Sequence, residues 1–171
     1  ALQRYCRQQG KTLRTVKHWR DIPAVPINAF KELTLSCTPP DQCERVFMTS
    51  GTTRADTRGR HYHPQLHVYD HSMKRYFAER FMRGIPQLPM GILFPTEEMM
   101  PNSSLAHYLA LALQEFGAPG SRYFVGPAGM DIDGLCLTLE SVEREGRPYA
   151  LLGASYSFVH LMDELQKRGQ K

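Results

Sequence analysis

The chain is 171 residues long with 42% apolar and 10% aromatic residues, enough length and apolar surface to bury a core, which excludes an intrinsically disordered segment. Its formal charge of +4 arises from 21 Lys and Arg against 17 Asp and Glu, spread without a run of like charges, so no nucleic-acid-binding footprint stands out. No apolar stretch reaches the roughly 18 residues of a membrane-spanning helix, and Cys6, Cys37, Cys43 and Cys136 lack the paired spacing of zinc sites. The expectation is a cytoplasmic protein with reduced thiols.

Residues 1–44 read as an N-terminal helical and extended strap. A helical pattern comes first, and Pro23 and Pro26 favour an extended path. A short turn follows around Asn28-Ala29-Phe30-Lys31-Glu32, then a Pro-rich stretch. Residues 45–171 read as an α/β nucleotide-binding subdomain. The apolar run Arg45-Val46-Phe47-Met48-Thr49 is a strand leading into the polar loop Ser50–Arg60. Pro64 suits a first helical position, and Leu66, Tyr69, Met73, Tyr76, Phe77 and Phe81 recur at helical spacing until Gly84, predicting an amphipathic helix whose aromatics belong to the core.

Met90–Phe94 is a buried-strand candidate stopped by Pro95. Ser103 or Ser104 offers an N-cap for a helix running to Phe116, with Gly117 as its stop. Arg122–Val125 is the next strand, and Asp131 or Asp133 caps a helix ended by Gly146. Tyr149–Leu152 is the fourth strand, followed by a last helix ending near Gly169. Strand and helix alternate four times. Parallel strands need long crossovers, so the pattern predicts an α/β fold with a mainly parallel sheet covered by helices.

Phosphate requires donors on a loop that can approach it closely. Ser50-Gly51-Thr52-Thr53 supplies three hydroxyls, backbone amides and a glycine directly after a strand, while Arg54, Arg58 and Arg60 add positive charge suited to a polyphosphate. It is neither G-x-x-x-x-G-K-[ST] nor G-x-G-x-x-G.

Other constellations read as structural. Gly153-Ala154-Ser155-Tyr156-Ser157 sits where a hydrolase nucleophile elbow would, but Ser157 replaces its last glycine and His160 precedes Asp163 on one short helix, so Ser155 reads as a helix N-cap. His61, His63, His67 and His71 cluster, with His67 and His71 at the i, i+4 spacing that can chelate zinc and Asp70 the only nearby carboxylate in the helix. Without a thiolate, the expectation is no metal. Cys136 among Leu135, Leu137 and Leu139 reads as a buried inert thiol.

Thr49-Ser50-Gly51-Thr52-Thr53 after an apolar strand resembles the phosphate-gripping signature of the adenylate-forming superfamily, which contains acyl-CoA synthetases, phenylacetate-CoA ligases and acyl-protein synthetases. The acyl-protein synthetases of bacterial fatty-acid reductase systems fit best. Their phrase of two prolines followed by a short helix with Phe-Lys-Glu resembles Ile22–Glu32. Their later phrases resemble Pro101–Tyr108 and Leu151–Leu161, in the same order.

The resemblance implies part of the large domain of such an enzyme, which activates a carboxylic acid, a fatty acid in this branch, as an acyl-adenylate with ATP and Mg2+. The acyl group then passes to an acyl-accepting protein or reductase partner. Ser50, Thr52 and Thr53 would hold the β- and γ-phosphates while Gly51 keeps the backbone close. Ser155 and Tyr156 would lie near the acyl or nucleotide pocket.

Two departures accompany it. Arg54 stands where the family often has Gly, and the superfamily's later aromatic-Gly-x-Thr-Glu segment, ribose-binding Asp and C-terminal catalytic Lys are not found in these residues. The expectation is therefore a fragment of a larger ligase, with self-association through the cut surface. The alternative is a non-catalytic remnant or partner-binding domain of the same fold.

Overall fold

The computed structural model describes residues 2–49 and 58–169. The chain divides into two compact units, Ala1–Leu66 and His67–Lys171. No helix among the described residues is long and apolar enough to cross a membrane.

The first unit opens with α1 (Leu2–Gln8), tied to the following strap by the Tyr5 hydroxyl, which donates to the Ala24 carbonyl at 2.9 Å. A single helical turn, Trp19–Asp21, is capped at its start. Nδ1 of His18 accepts from the Arg20 amide, and the Asp21 carboxylate accepts from the amides of Lys17 and His18. The predicted turn around Phe30 is the short helix α2 (Ala29–Glu32).

Strand β1 (Arg45–Met48) does not join a parallel sheet as expected. It pairs antiparallel with β2 (Arg60–His63), in the register Val46 to Tyr62 and Phe47 to His61. The connection contains no helix among its described residues, and a short connection can close only an antiparallel pair. The expected helix start at Pro64 is also displaced. The Leu66 amide donates to the Glu44 carboxylate at 2.8 Å, and α3 (His67–Phe77) begins only after that anchor.

The second unit is built on a parallel sheet of three strands, ordered β4 (Arg122–Tyr123), β3 (Met90–Leu93) and β7 (Ala150–Gly153). Because side chains alternate across a strand, successive residues of β3 feed two different cores. Met90, Ile92 and, just beyond, Phe94 pack with Met73 and Phe77 of α3 and with Ala106, Leu109 and Ala112 of α4 (Ser104–Phe116). Leu93 packs the other way, with Phe124, with Ile132 and Leu135 of α5 (Ile132–Arg144), and with Leu161 of α6 (Ser155–Lys167). Helices therefore cover both faces, as the alternating pattern predicts, on a smaller sheet. Ile92 and Leu93 are wholly buried, and each contributes about 1.5–3 kcal/mol by leaving water.

The caps behave as read: Ser103 Oγ accepts from the Ala106 amide, Asp131 from the Gly134 amide, and Gly117 ends α4. The expected strand 122–125 instead splits. After Tyr123 the chain leaves the sheet for a small hairpin, β5 (Val125–Gly126) with β6 (Gly129–Met130), turned through Pro127 and Ala128 into Gly129, which has a φ of 105°. Past Phe77, α3 widens into a π-helical turn, Ala78–Met82. Its aromatics divide, with Phe77 in the core and Tyr76 and Phe81 exposed to solvent.

Candidate functional site

In the first unit the two strands of the hairpin are joined above β1 by a closed neck. The Thr49 amide donates to the Gly59 carbonyl at 3.0 Å, and the Gly59 amide donates back to Thr49 Oγ1 at 2.9 Å. Ser50, Gly51, Thr52, Thr53 and Arg54 follow Thr49 in sequence and lie outside the described residues.

The neck itself is described, and it is basic. Arg58, Arg60 and Tyr62 fall at alternate positions entering and along β2, where extended backbone sends side chains the same way. They line a cavity of about 160 Å3 together with Phe30, Lys31 and Glu32 of α2. The Phe30 ring stacks on His61 at 4.8 Å and holds α2 against β2. A Cβ placed on buried Gly59 would lie 3.6 Å from Lys31 Cγ and 3.2 Å from Thr49 Cγ2, so Lys31 runs directly past the neck. The Phe-Lys-Glu phrase and the base of the Ser-Gly-Thr-Thr loop, read as separate motifs, are thus brought together. Lys31 has no signal as a site residue in isolation; the stack of Phe30 on His61 is what aims it.

In the second unit, β3 and β7 are neighbours whose continuing helices, α4 and α6, cover opposite faces of the sheet. In open α/β sheets, the crevice formed by such a divergence at the carboxyl ends of the strands is the usual ligand position. Phe94 follows β3 there, and Ser155 and Tyr156 follow β7, with the rings of Phe94 and Tyr156 6.3 Å apart. Gly153 permits the close approach: a Cβ on it would meet the Leu93 carbonyl oxygen at 2.8 Å. Ser155 is exposed at the first position of α6 and does not cap it. Ala154 is the N-cap and has no side chain to offer, so the N-cap reading of Ser155 is corrected.

Beside this crevice lies a polar cluster that the sequence reading missed. His107 of α4 is buried, with Nε2 2.9 Å from Asp70 Oδ1 and Nδ1 2.9 Å from Glu97 Oε1. Each ring nitrogen thus has a carboxylate oxygen within hydrogen-bond distance, with donor and acceptor roles set by the tautomer. The Tyr69 ring stands 5.8 Å from the imidazole. Burial, then Tyr108, then Asp70 push the Tyr69 hydroxyl up from its ordinary range; burial and the Glu97 charge do the same to Tyr123. The available signal was a lone histidine on the apolar stripe of α4, which demands buried partners.

The four clustered histidines separate. His61 stacks on Phe30, His63 meets the Phe47 ring edge-on at 5.0 Å, and His67 and His71 are exposed on α3. No group of three His, Cys, Asp or Glu among the described residues could hold a metal ion. None of the four cysteines forms a disulfide, and Cys136 is half-buried rather than buried.

No protein-family model, curated protein or solved structure matches this chain. What remains is chemistry read from position: a small basic cavity at a hairpin neck, the carboxyl ends of a parallel sheet, and a buried histidine between two carboxylates.

Proposed function

We propose that the chain forms the nucleotide-gripping part of an acyl-protein synthetase-like ligase that activates a carboxylic acid with ATP. A carboxylate oxygen of the substrate attacks the α-phosphorus. The bond to the bridging oxygen of the β-phosphate breaks, and pyrophosphate leaves from an acyl-adenylate. A thiol or hydroxyl of an acceptor protein then attacks the acyl carbonyl and AMP departs.

The observation that carries this reading is the neck closed by the paired hydrogen bonds of Thr49 and Gly59, described residues that flank Ser50-Gly51-Thr52-Thr53 in sequence. Donors placed in advance stabilise the charge that develops on departing pyrophosphate without reorganising during the reaction. Ser50, Thr52 and Thr53 would contact the β- and γ-phosphates, and Ser155 and Tyr156 would border the acyl or nucleotide pocket at the crevice.

Magnesium suits the same donor chemistry, since it takes oxygen ligands and commonly arrives on phosphate oxygens with few protein groups. The hydroxyls of Ser50, Thr52 and Thr53 are donors of that class. When bound, the ion would neutralise phosphate charge.

Titration calorimetry of ATP against the chain, with Thr52→Ala and Thr53→Ala alongside, tests the reading. Saturable ATP binding weakened in both variants supports it. Absence of ATP binding would favour the partner-binding reading of the same fold instead.

A further inference from the structure

We propose that the cavity at the hairpin neck is a phosphate subsite in its own right, with Lys31, Arg58 and Arg60 as its cationic walls. The inference deepens the nucleotide reading by naming which part of the ligand the described residues would hold, and to that extent rests on it.

Three observations converge. Lys31, Arg58 and Arg60 all line one cavity of about 160 Å3, against a single carboxylate in its wall, Glu32. None of the three cations forms an ion pair among the described residues, whereas Lys74, Arg122, Arg147, Lys167 and Arg168 each hold a carboxylate. Like charges collected around one small space repel one another until an anion enters it. The cavity is too small for a drug-sized ligand but has room for a compact tetrahedral anion.

The residue types also select the ligand. Arginine forks match phosphate oxygens bidentately, and a lysine ammonium adds a mobile point charge. Tyr62, in the same wall, offers a hydroxyl. Lys31 is held in place from behind, by the stack of Phe30 on His61 and by its run past Gly59. Three cations exceed what a monocarboxylate would neutralise, so the favoured occupant is a multiply charged phosphate group. That group can be the terminal phosphates of a nucleoside triphosphate or free inorganic pyrophosphate. The cavity borders the neck of the very loop that carries the hydroxyls, and Lys31 therefore joins two sequence phrases in one binding role.

Calorimetric titration of the full chain with inorganic pyrophosphate, ATP and AMP, repeated for Lys31→Gln and Arg60→Gln, tests the inference, with circular dichroism confirming that both variants fold. The expected result is pyrophosphate binding that weakens about tenfold or more in each variant, in keeping with loss of a charged hydrogen bond, and that weakens further with added salt. AMP binding, lacking the terminal phosphates, should not change. Pyrophosphate binding without ATP binding would sustain the subsite and remove the nucleotide reading. ATP binding indifferent to Lys31→Gln and Arg60→Gln would overturn the subsite and leave the nucleotide reading standing. No pyrophosphate binding would overturn the subsite as well.

Discussion

Asp70 and Glu97, 27 positions apart in the chain, grip one imidazole from both sides: each places a carboxylate oxygen 2.9 Å from a ring nitrogen of buried His107. The arrangement links α3, α4 and the segment after β3 at the edge of the crevice. Replacing the histidine removes the ring that both carboxylate oxygens contact. His107→Leu should therefore destabilise the fold by about 3 kcal/mol, and Asp70→Asn introduced into that variant should recover part of the loss by removing one of the two carboxylate charges. Urea unfolding of the two variants measures this. A loss below about 0.5 kcal/mol for His107→Leu would mean that the cluster behaves as a solvated surface group.

Gly153 bears on the crevice through packing. An added Cβ would meet backbone of the neighbouring strand, the Leu93 carbonyl oxygen at 2.8 Å, as well as Leu93 Cβ at 3.0 Å. Backbone cannot swing aside as a side chain can, so Gly153→Ala should cost about 1–3 kcal/mol and part β3 from β7 where Ser155 and Tyr156 begin. Thermal unfolding together with amide exchange at Leu93 and Gly153 reads the outcome. An unchanged melting temperature would contradict it.

The Tyr149 hydroxyl is buried without a hydrogen-bond partner among the described residues. Truncating a partnered tyrosine hydroxyl commonly costs about 1 kcal/mol, but here there is no bond to lose. Tyr149→Phe should be neutral or slightly stabilising in urea unfolding. A clear loss of stability would reveal a partner for that oxygen.

Burial comes first among the causes that hold the hydroxyls of Tyr69, Tyr108, Tyr123 and Tyr149 above their ordinary value of 10.0, with nearby Arg122 opposing the shift at Tyr149. Between the unfolded and the raised folded value, the unfolded chain has released protons that the folded chain retains. The stabilisation is therefore fully present below pH 10 and is lost as pH rises past it. Unfolding free energy should hold level through neutral pH and fall above about pH 10, in step with tyrosinate absorbance. A stability curve that stays flat there would contradict the burial of these hydroxyls.

Where local chemistry decides structure, the sequence was legible. Ser103, Asp131 and Gly117 mark helix ends by their own capping chemistry, and α4 and α5 lie where those residues put them. The apolar runs at 90–93 and 150–153 are strands because both of their faces are buried. Pairing was less legible, because it depends on partners that a local pattern does not name. Arg60-His61-Tyr62-His63 has no apolar alternation to mark it as a strand, so the antiparallel hairpin was missed and Arg45–Met48 was assigned to the wrong kind of sheet.

The site shows the same division. The phrases around Phe30-Lys31-Glu32 and Ser155-Tyr156 were visible as runs of residues, and the structure sets the first against the neck of the hairpin and the second at the carboxyl end of β7. His107 was not singled out, because one of its partners lies 10 positions away and the other 37. A histidine on an apolar stripe signals that it has partners without saying where they are. Periodicity predicts both Tyr76 and Phe81 in the core; the π-helical turn after Phe77 shifts the register of the stripe at Phe81, whereas Tyr76 precedes that turn and is exposed beside buried Phe77.

The central claim, that the Ser50–Thr53 loop grips a nucleotide for acid activation, is met most directly by ATP–pyrophosphate exchange across a panel of fatty and aromatic acids, with Thr52→Ala and Thr53→Ala measured beside the unsubstituted protein. Acid-dependent exchange that falls about a hundredfold in both variants, as loss of a preplaced donor to a developing oxyanion does, is the predicted result. Exchange that persists unchanged in both variants, or that no acid elicits from a protein that also fails to bind ATP, would contradict it.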